Sequence, residues 1–370
     1  MLREKWQEKV LGDLITLEYG AGLPESSRSG SGFPVYGSSG IVGQHTDYLV
    51  NGPGIVVGRK GTVGAVAWSE GPFWPIDTAY YANTKCEVEI RWCYWLLQSI
   101  GLDRLDSATG VPGLNRNDAY IIKAKIPPLP EQCRIAEILD TIDEAIQKTD
   151  ALISKLKAMK QGLLHDLLTR GLDKNGKLRD PKTHPEQFKD SPLGRIPTRW
   201  DVRPLGVTAT LQRGFDLPIQ DRRAGDVPIF GSNGIDGHHN ESRVSGPGVI
   251  TGRSGSIGFV YYTDTNYWPL NTTLYVKEFH GNRPKFIRLL LESLRLNRFT
   301  AATGVPSLNR NFVHPIEVTA PEPAEQDRIV DVVEVHDARI RTEEQYRDKL
   351  KLQKKGLMHD LLTGKVRVQN

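Results

Sequence analysis

The chain writes its own sequence twice. "ATGVPGLNRN" at Ala108–Asn117 returns as "ATGVPSLNRN" at Ala302–Asn311, with only Gly113 against Ser307 different. The same shift of 194 residues aligns "PVYGSSG" at Pro34 with "PIFGSNG" at Pro228, and "GPGIVVGRKGTVG" at Gly52 with "GPGVITGRSGSIG" at Gly246. It also aligns "WPIDTAYY" at Trp74 with "WPLNTTLY" at Trp268, and "KQGLLHDLLT" at Lys160 with "KKGLMHDLLT" at Lys354. Trp6 and Trp200 keep the offset, as do Gly20 and Gly214, and no gap is needed from residue 1 to about 176. A period this long is no solenoid, whose units run roughly 20–50 residues. It is a whole domain-plus-helix module, used twice in a chain of 370 residues that is long enough for two cores. Two copies of one module favour a pseudo-two-fold arrangement with two similar surfaces at a fixed separation. That geometry suits a target made of two parts.

Within the first module, residues 10–128 are rich in glycine, proline and short β-branched runs such as "GIVVG", "GAVAW" and "YIIKAKI". Their turn signals predict a mainly β or α+β domain. One helix interrupts it, "RWCYWLLQSIGLDRL" at Arg91–Leu105, echoed by "KFIRLLLESLRLNRF" at Lys285–Phe299; both are rich enough in apolar residues to fill a core. "IPPLPEQ" then ends the strands, and Glu131 suits the first turn of a helix. Ile135, Leu139, Ile142, Ile146, Ile153, Leu156, Leu163 and Leu167, with Thr149 and Lys160 between them, alternate in steps of four and three. That is the period of a coiled-coil seam. A helix from Glu131 to Leu168 would be roughly 57 Å long. The second copy keeps Ile329, Val333, Ile340, Leu350, Leu357 and Leu361, and sets His336, Glu343 and Arg347 at seam positions. The stripe is narrow and long, so helix-against-helix packing is expected, with packing on the parent domain as the alternative. The polar stretch from Gly171 to Arg199 reads as a connecting segment. Were the helices antiparallel, a rod of that length would set the separation of the two lobes.

The sequence carries no recognisable catalytic motif. "GLDKNGKL" at Gly171 fits G-x4-GK, but Leu178 stands where a phosphate loop needs Ser or Thr. The only Pro-Pro, in "IPPL", lacks the Asp or Asn with which an amino-methyltransferase grips a flipped base. No Glu-x-Lys occurs, and the histidines of "GHHN" do not form a ligand set shared by both copies. Cys86, Cys93 and Cys133 are too few and scattered for a disulfide framework or a zinc knuckle. No metal is therefore expected. No apolar run reaches the roughly 18 residues of a membrane span, and the amino end shows no secretory signal. Net charge is +4 with an isoelectric point near 8.8, which fits a phosphate-binding protein and an ordinary enzyme equally.

What the loops offer is hydrogen bonding. "GRKGTVG" carries Arg59, Lys60 and Thr62 on a glycine-rich loop able to approach phosphates, and its counterpart carries Arg253, Ser254 and Ser256. Arg59 and Arg253 suit a phosphate, a guanine edge or a structural ion pair. Thr109, Asn115, Arg116 and Asn117, with Thr303, Asn309, Arg310 and Asn311, belong to the repeated phrase. Because both copies share them, phosphate or backbone positioning and turn scaffolding are both open to them. Base reading is expected where the copies disagree. Those places are Ser39 against Asn233, beside Ser38 and Ser232; Gln44 and His45 in "QHTDYLVN" against His238 and His239 in "HHNESRVS"; and Lys60 against Ser254.

On these residues the whole chain resembles the DNA specificity (S) subunit of type I restriction–modification systems. "TGVPGLNRNDAY" and "TGVPSLNRN", "PLPEQCRIAEIL" and "PAEQDRIVDVV", "KKGLMHDLLTGKVRV" and "SPLGRIPTRW" carry the resemblance in order. It implies an α+β chain with two mainly β target-recognition domains related by a pseudo-two-fold and joined by two long helices in an antiparallel coiled coil. The segments are then a first recognition domain at 1–128, a spacer helix at 129–170, a connection at 171–200, a second recognition domain at 201–322 and a second helix at 323–364. The resemblance further implies double-stranded DNA as target and two modification subunits as partners, which carry S-adenosylmethionine and methylate adenine. A restriction subunit can join them. This chain itself would hold no cofactor, catalyse nothing, touch no membrane and work in the cytoplasm. A self-sufficient methyltransferase or nuclease, and a coiled-coil adaptor that never meets DNA, are the competing readings.

Overall fold

The computed structural model describes residues 5–85, 87–105, 113–299 and 307–368. Thr109, Thr303 and Cys86 lie outside the described residues. The chain divides into two compact units, Met1–Ala151 with Glu344–Asn370, and Leu152–Glu343. The compact units cut across the long helices, so each contains a piece of both.

In the first unit, strands Ile15–Tyr19, Ala79–Thr84, Gly54–Gly58 and Val66–Ser69 form a four-stranded antiparallel sheet in that spatial order. A three-stranded sheet sets Phe33–Gly37 between Gly40–His45, antiparallel, and the short Trp74–Pro75, parallel. Gln7–Val10 pairs with Lys123–Ile126 just before the first long helix. The second unit repeats this topology with Thr210–Arg213, Thr273–Glu278, Gly248–Gly252 and Val260–Thr263, then Gly234–His239, Val227–Gly231 and Trp268–Pro269, then Asp201–Pro204 with Glu317–Ala320.

The short core helices are Ile90–Ser99 and Pro284–Ser293, and they bury Trp92, Trp95, Phe286 and Ile287 completely, as their apolar content predicts. Each stops sooner than the sequence pattern suggests and resumes as a 3-10 turn, Leu102–Leu105 or Leu296–Phe299. The break falls at left-handed backbone, Gly101 at φ 71° and Arg295 at φ 49°.

The two long helices are Leu129–Thr169 and Pro323–Leu362. In the first unit Asp143 pairs with Lys354 and Asp150 with Arg347, at 3.4 Å for the second pair. In the second unit Lys160 pairs with Asp337 at 2.6 Å. Residue numbers fall on one helix as they rise on the other, so the paired stretches within each unit run antiparallel. Ile135, Leu139, Ile146, Thr149, Ile153, Leu156, Leu167, Ile329, Val333, Ile340, Leu350 and Leu361 are buried, while Ile142, Leu163 and Leu357 are half-buried. Packing on the parent domain occurs as well. Ile135, Ala136 and Leu139 join Leu361 and Leu362 in the first unit's core, and Leu164, Leu167 and Leu168 join Ile329, Val330 and Val333 in the second's.

The stretch 171–200, expected as a solvated connection, is instead part of the second unit. Phe188–Ser191 and Gly194–Pro197 form a hairpin, and Leu172, Phe188, Ile196 and Trp200 are buried. Its apolar residues are spread singly among many charges, which is why composition hides them.

Candidate nucleic-acid interface

The loop "GRKG" leaves the strand Gly54–Gly58 by doubling back on itself. Gly58 N–H donates to Ala65 O at 2.7 Å, and a Cβ on Gly58 would collide with the Thr62 carbonyl. Gly61, at φ 84°, makes the turn. Arg59 and Lys60 N–H both donate to Thr78 O, and Arg59 O accepts from Leu114 N–H at 2.8 Å. The second unit copies this arrangement: Gly255 sits at φ 83°, Arg253 and Ser254 donate to Thr272 O, and Leu308 N–H reaches Arg253 O at 2.7 Å. Lys60 bridges Gly113, and Ser254 bridges Ser307, while Leu114 and Leu308 are buried anchors. From Gly113 and Ser307 onward the repeated phrase is thus the structural partner of the glycine loop, which accounts for the recurrence of that part in both modules.

This pairing brings together two arginines that lie far apart in sequence. Arg59 Nη1 donates to Asp77 O at 2.8 Å, and Arg116 Nη1 to Leu17 O at 3.3 Å. Their counterparts do the same: Arg253 to Asn271 O at 3.0 Å and Arg310 to Leu211 O at 3.5 Å. One nitrogen of each guanidinium is spent on a backbone carbonyl, which aims the rest of a planar five-donor group. In the first unit both guanidiniums lie over the ring of Tyr19, at 4.8 and 5.0 Å from its centre. Tyr80 leans against it, tilted, with ring centres 5.1 Å apart, and donates its hydroxyl to Leu114 O; burial, then its neighbour Tyr19, raises its pKa above the ordinary value.

Other named residues divide by exposure. Asn115 and Asn309 each accept a hydrogen bond from the N–H two residues on, Asn117 or Asn311, at 3.0 and 2.9 Å, capping short helices at Arg116–Tyr120 and Arg310–Val313. They are turn scaffold, while Asn117 and Asn311 are exposed. Ser38 Oγ accepts from Thr62 N–H at 3.4 Å, tying the hairpin turn to the glycine loop. Ser39, Gln44, Lys60, Thr62, Asn233 and His238 are exposed; Ser232, Ser254 and Ser256 are half-buried. His239 corrects an expectation. It is buried, accepts the Arg223 N–H at 3.0 Å and stands edge-on to Trp268, so it supports its loop and presents nothing to solvent. His45, half-buried, stands likewise against Trp74. Among the described residues no cluster could hold a metal ion, and no helix is long and apolar enough to cross a membrane.

Two features escaped the sequence reading. Tyr19 is half-exposed at the centre of the arginine pair, and Arg213 takes its place in the second unit. The offset itself could have exposed that difference. The other is a clasp at the start of each long helix. Glu131 accepts from Arg367 Nη2 at 2.7 Å, Trp6 Nε1 at 3.0 Å and Val368 N–H at 3.1 Å. Glu325 accepts from Arg179 Nη1 at 2.6 Å, Trp200 Nε1 at 3.4 Å and Leu172 N–H at 2.9 Å. Burial alone would raise the Glu131 carboxyl, but the bonds from Arg367 and Trp6 outweigh it and hold it below its ordinary range. The neighbouring Gln132 and Gln326 accept from Glu89 and Arg283 N–H and donate to Pro127 and Pro321 carbonyls. The Glu-Gln pair, Glu131 with Gln132 and Glu325 with Gln326, is therefore a buried fastening. Because Arg179 and Arg367 do not share the offset, the repeat alone did not pair them.

The comparisons agree with this duplicated layout. The family model for the type I restriction modification DNA specificity domain matches residues 3–158 and again 197–352, two stretches separated by the chain's own repeat distance. The type I restriction enzyme MjaVIII specificity subunit of Methanocaldococcus jannaschii is 25% identical over 291 residues, 71% of this chain and 66% of the relative. The EcoDI specificity subunit of Escherichia coli is 22% identical over 58% of this chain and 51% of the relative. The chain spans about half to two thirds of the length of these relatives. In fold, it is similar to the crystal structure of the type I restriction–modification S subunit from M. genitalium, with a TM-score of 0.66 at 16% identity over 98% of this chain and 96% of that one. With both of its modules matched across most of their length, this chain belongs to the type I restriction–modification DNA specificity family.

Proposed function

We infer that this chain is the subunit that chooses the DNA sequence for a type I restriction–modification assembly, reading a bipartite duplex target and leaving bond-making to others. The observation that carries this reading is the arginine pair that both units hold on matching carbonyls, on the exposed loops of a specificity domain. Backbone-fixed guanidiniums grip phosphates and set register without reading sequence. Reading falls to the exposed positions where the two copies differ, Ser39 against Asn233, Gln44 against His238 and Lys60 against Ser254. Two lobes with one frame and different loop tips then read two half-sites.

Partner modification subunits, two per chain, would hold S-adenosylmethionine and methylate adenine, and a restriction subunit would cut when present. This chain holds no cofactor and catalyses no step, and it acts in the cytoplasm beside the chromosome. The test is single-molecule methylome sequencing of a host with the gene and with it deleted. One split adenine-methylated motif should vanish on deletion and return with the gene. Identical methylomes would overturn the reading.

A further inference from the structure

The two units carry the same arginine pair but not the same floor beneath it. In the first unit the floor is Tyr19; in the second it is Arg213. There, Arg213, Arg253 and Arg310 line one polar notch of roughly 690 Å³. Arg253 and Arg310 are fixed by carbonyls, whereas Arg213 donates no hydrogen bond among the described residues and its side chain is 54% exposed. The nearest carboxylate is Asp216, 3.8 Å from Arg213 Nη2, too long for a hydrogen bond. Asp216 is instead engaged by the Asn271 side-chain amide, and an exposed pair at that distance holds an arginine weakly. Phe215 lines the same notch and packs against Tyr275, giving it an apolar wall.

Three guanidiniums around one notch, two held on carbonyls and one held only loosely by Asp216 in the same lining, match an anion with several acceptor oxygens in a tetrahedral array. A base edge offers two acceptors in a plane and would leave the third arginine idle. We propose that position 19/213 divides the labour between the units: in the second, Arg213 closes an arginine trio on one backbone phosphate of the duplex, whereas in the first Tyr19 stacks under the pair and leaves the matching phosphate to two arginines. This rests on the DNA-reading function and adds to it which residue fixes the stronger backbone hold and in which half.

The test uses the full-length chain purified with its modification subunits, and fluorescent duplexes carrying the target found by methylome sequencing or a scrambled sequence. Binding is titrated across a range of salt. Each neutralised phosphate contributes about 0.9 to the slope of log affinity against log salt. R213Y, which copies the first unit, should lower that slope by a fraction of this amount, since Arg253 and Arg310 stay on the phosphate, and should weaken target and scrambled duplexes by the same factor. R213K, which keeps the charge, should retain the slope. Y19R should raise it by a similar fraction. Arg213 lies at the surface, and an unchanged thermal melting curve separates lost contact from lost fold. An unchanged slope in R213Y overturns the proposal, as does a loss confined to the target duplex, which would make Arg213 a base reader. If the unmodified complex itself bound DNA without salt dependence, the DNA-reading function would fail first, a distinct result.

Discussion

At one hydrogen bond per unit, the chain has exchanged a tyrosine for a histidine. Tyr120 Oη accepts the Leu17 N–H at 2.7 Å, and its counterpart His314 accepts the Leu211 N–H through Nε2 at 2.9 Å. The acceptor role requires that nitrogen to be unprotonated. Burial, then the nearby Arg310 guanidinium, lowers the His314 pKa from the ordinary 6.5. A histidine that is harder to protonate when folded contributes stability fully above 6.5 and loses it as pH falls through the folded value. Corrected hydrogen exchange of residues 205–213 should therefore quicken as pH drops below 6.5, while that of residues 11–19 holds steady. H314Y should make both segments behave alike. If they already respond alike in the unaltered chain, this assignment is wrong. Much of this scale was legible in sequence: Arg59, Arg116, Arg253 and Arg310 are all in the repeated phrases. Which carbonyls aim them, those of Leu17, Asp77, Leu211 and Asn271, was not legible, because hydrogen bonds between distant segments leave no trace in local pattern.

The elements read more clearly than their fastenings. The alternation of four and three located both long helices to within a few residues, and burial follows it. Lys160 and Lys354 interrupted the apolar seam for a reason the pattern could not give: Asp337 and Asp143, which lie off the seam register, neutralise them. Lys354 also lies over Trp95, 4.5 Å from its ring centre. Arg91 with Asp140 and Lys285 with Glu334 repeat a bond from core helix to long helix, at 2.7 and 2.6 Å. The start of each long helix depends on its clasp. E131Q keeps the size but removes the charge that Arg367 and Trp6 address, which should cost about 3 kcal/mol at neutral pH, the lower end for breaking a buried ion pair. Since the native carboxyl is held below 4.5, its contribution is present above that value and fades as pH falls through the folded one. The variant and the unaltered chain should therefore converge in denaturant midpoint under acid conditions. A gap independent of pH would assign the loss to packing instead.

For the whole molecule the internal repeat carried the most information. It gave two α+β modules and the residue-by-residue correspondence on which the arginine pairs, the histidine exchange and the Tyr19/Arg213 contrast all rest. It did not give the membership of residues 171–200 in the second unit, because the buried Leu172, Phe188, Ile196 and Trp200 are spread singly among charges. On the proposed reading, the bases of each half-site also stay unread, since the repeat says nothing of positions where the copies differ. The central claim is that each module reads its own half of the target. The most direct measurement is methylome sequencing of a host whose chain has residues 201–322 replaced by residues 7–128, an exchange of equal length along the repeat. The modified motif should then contain the first half-site twice and lose the second. A methylated motif identical to that of the unaltered chain would show that the modules do not read DNA independently, and would contradict the account.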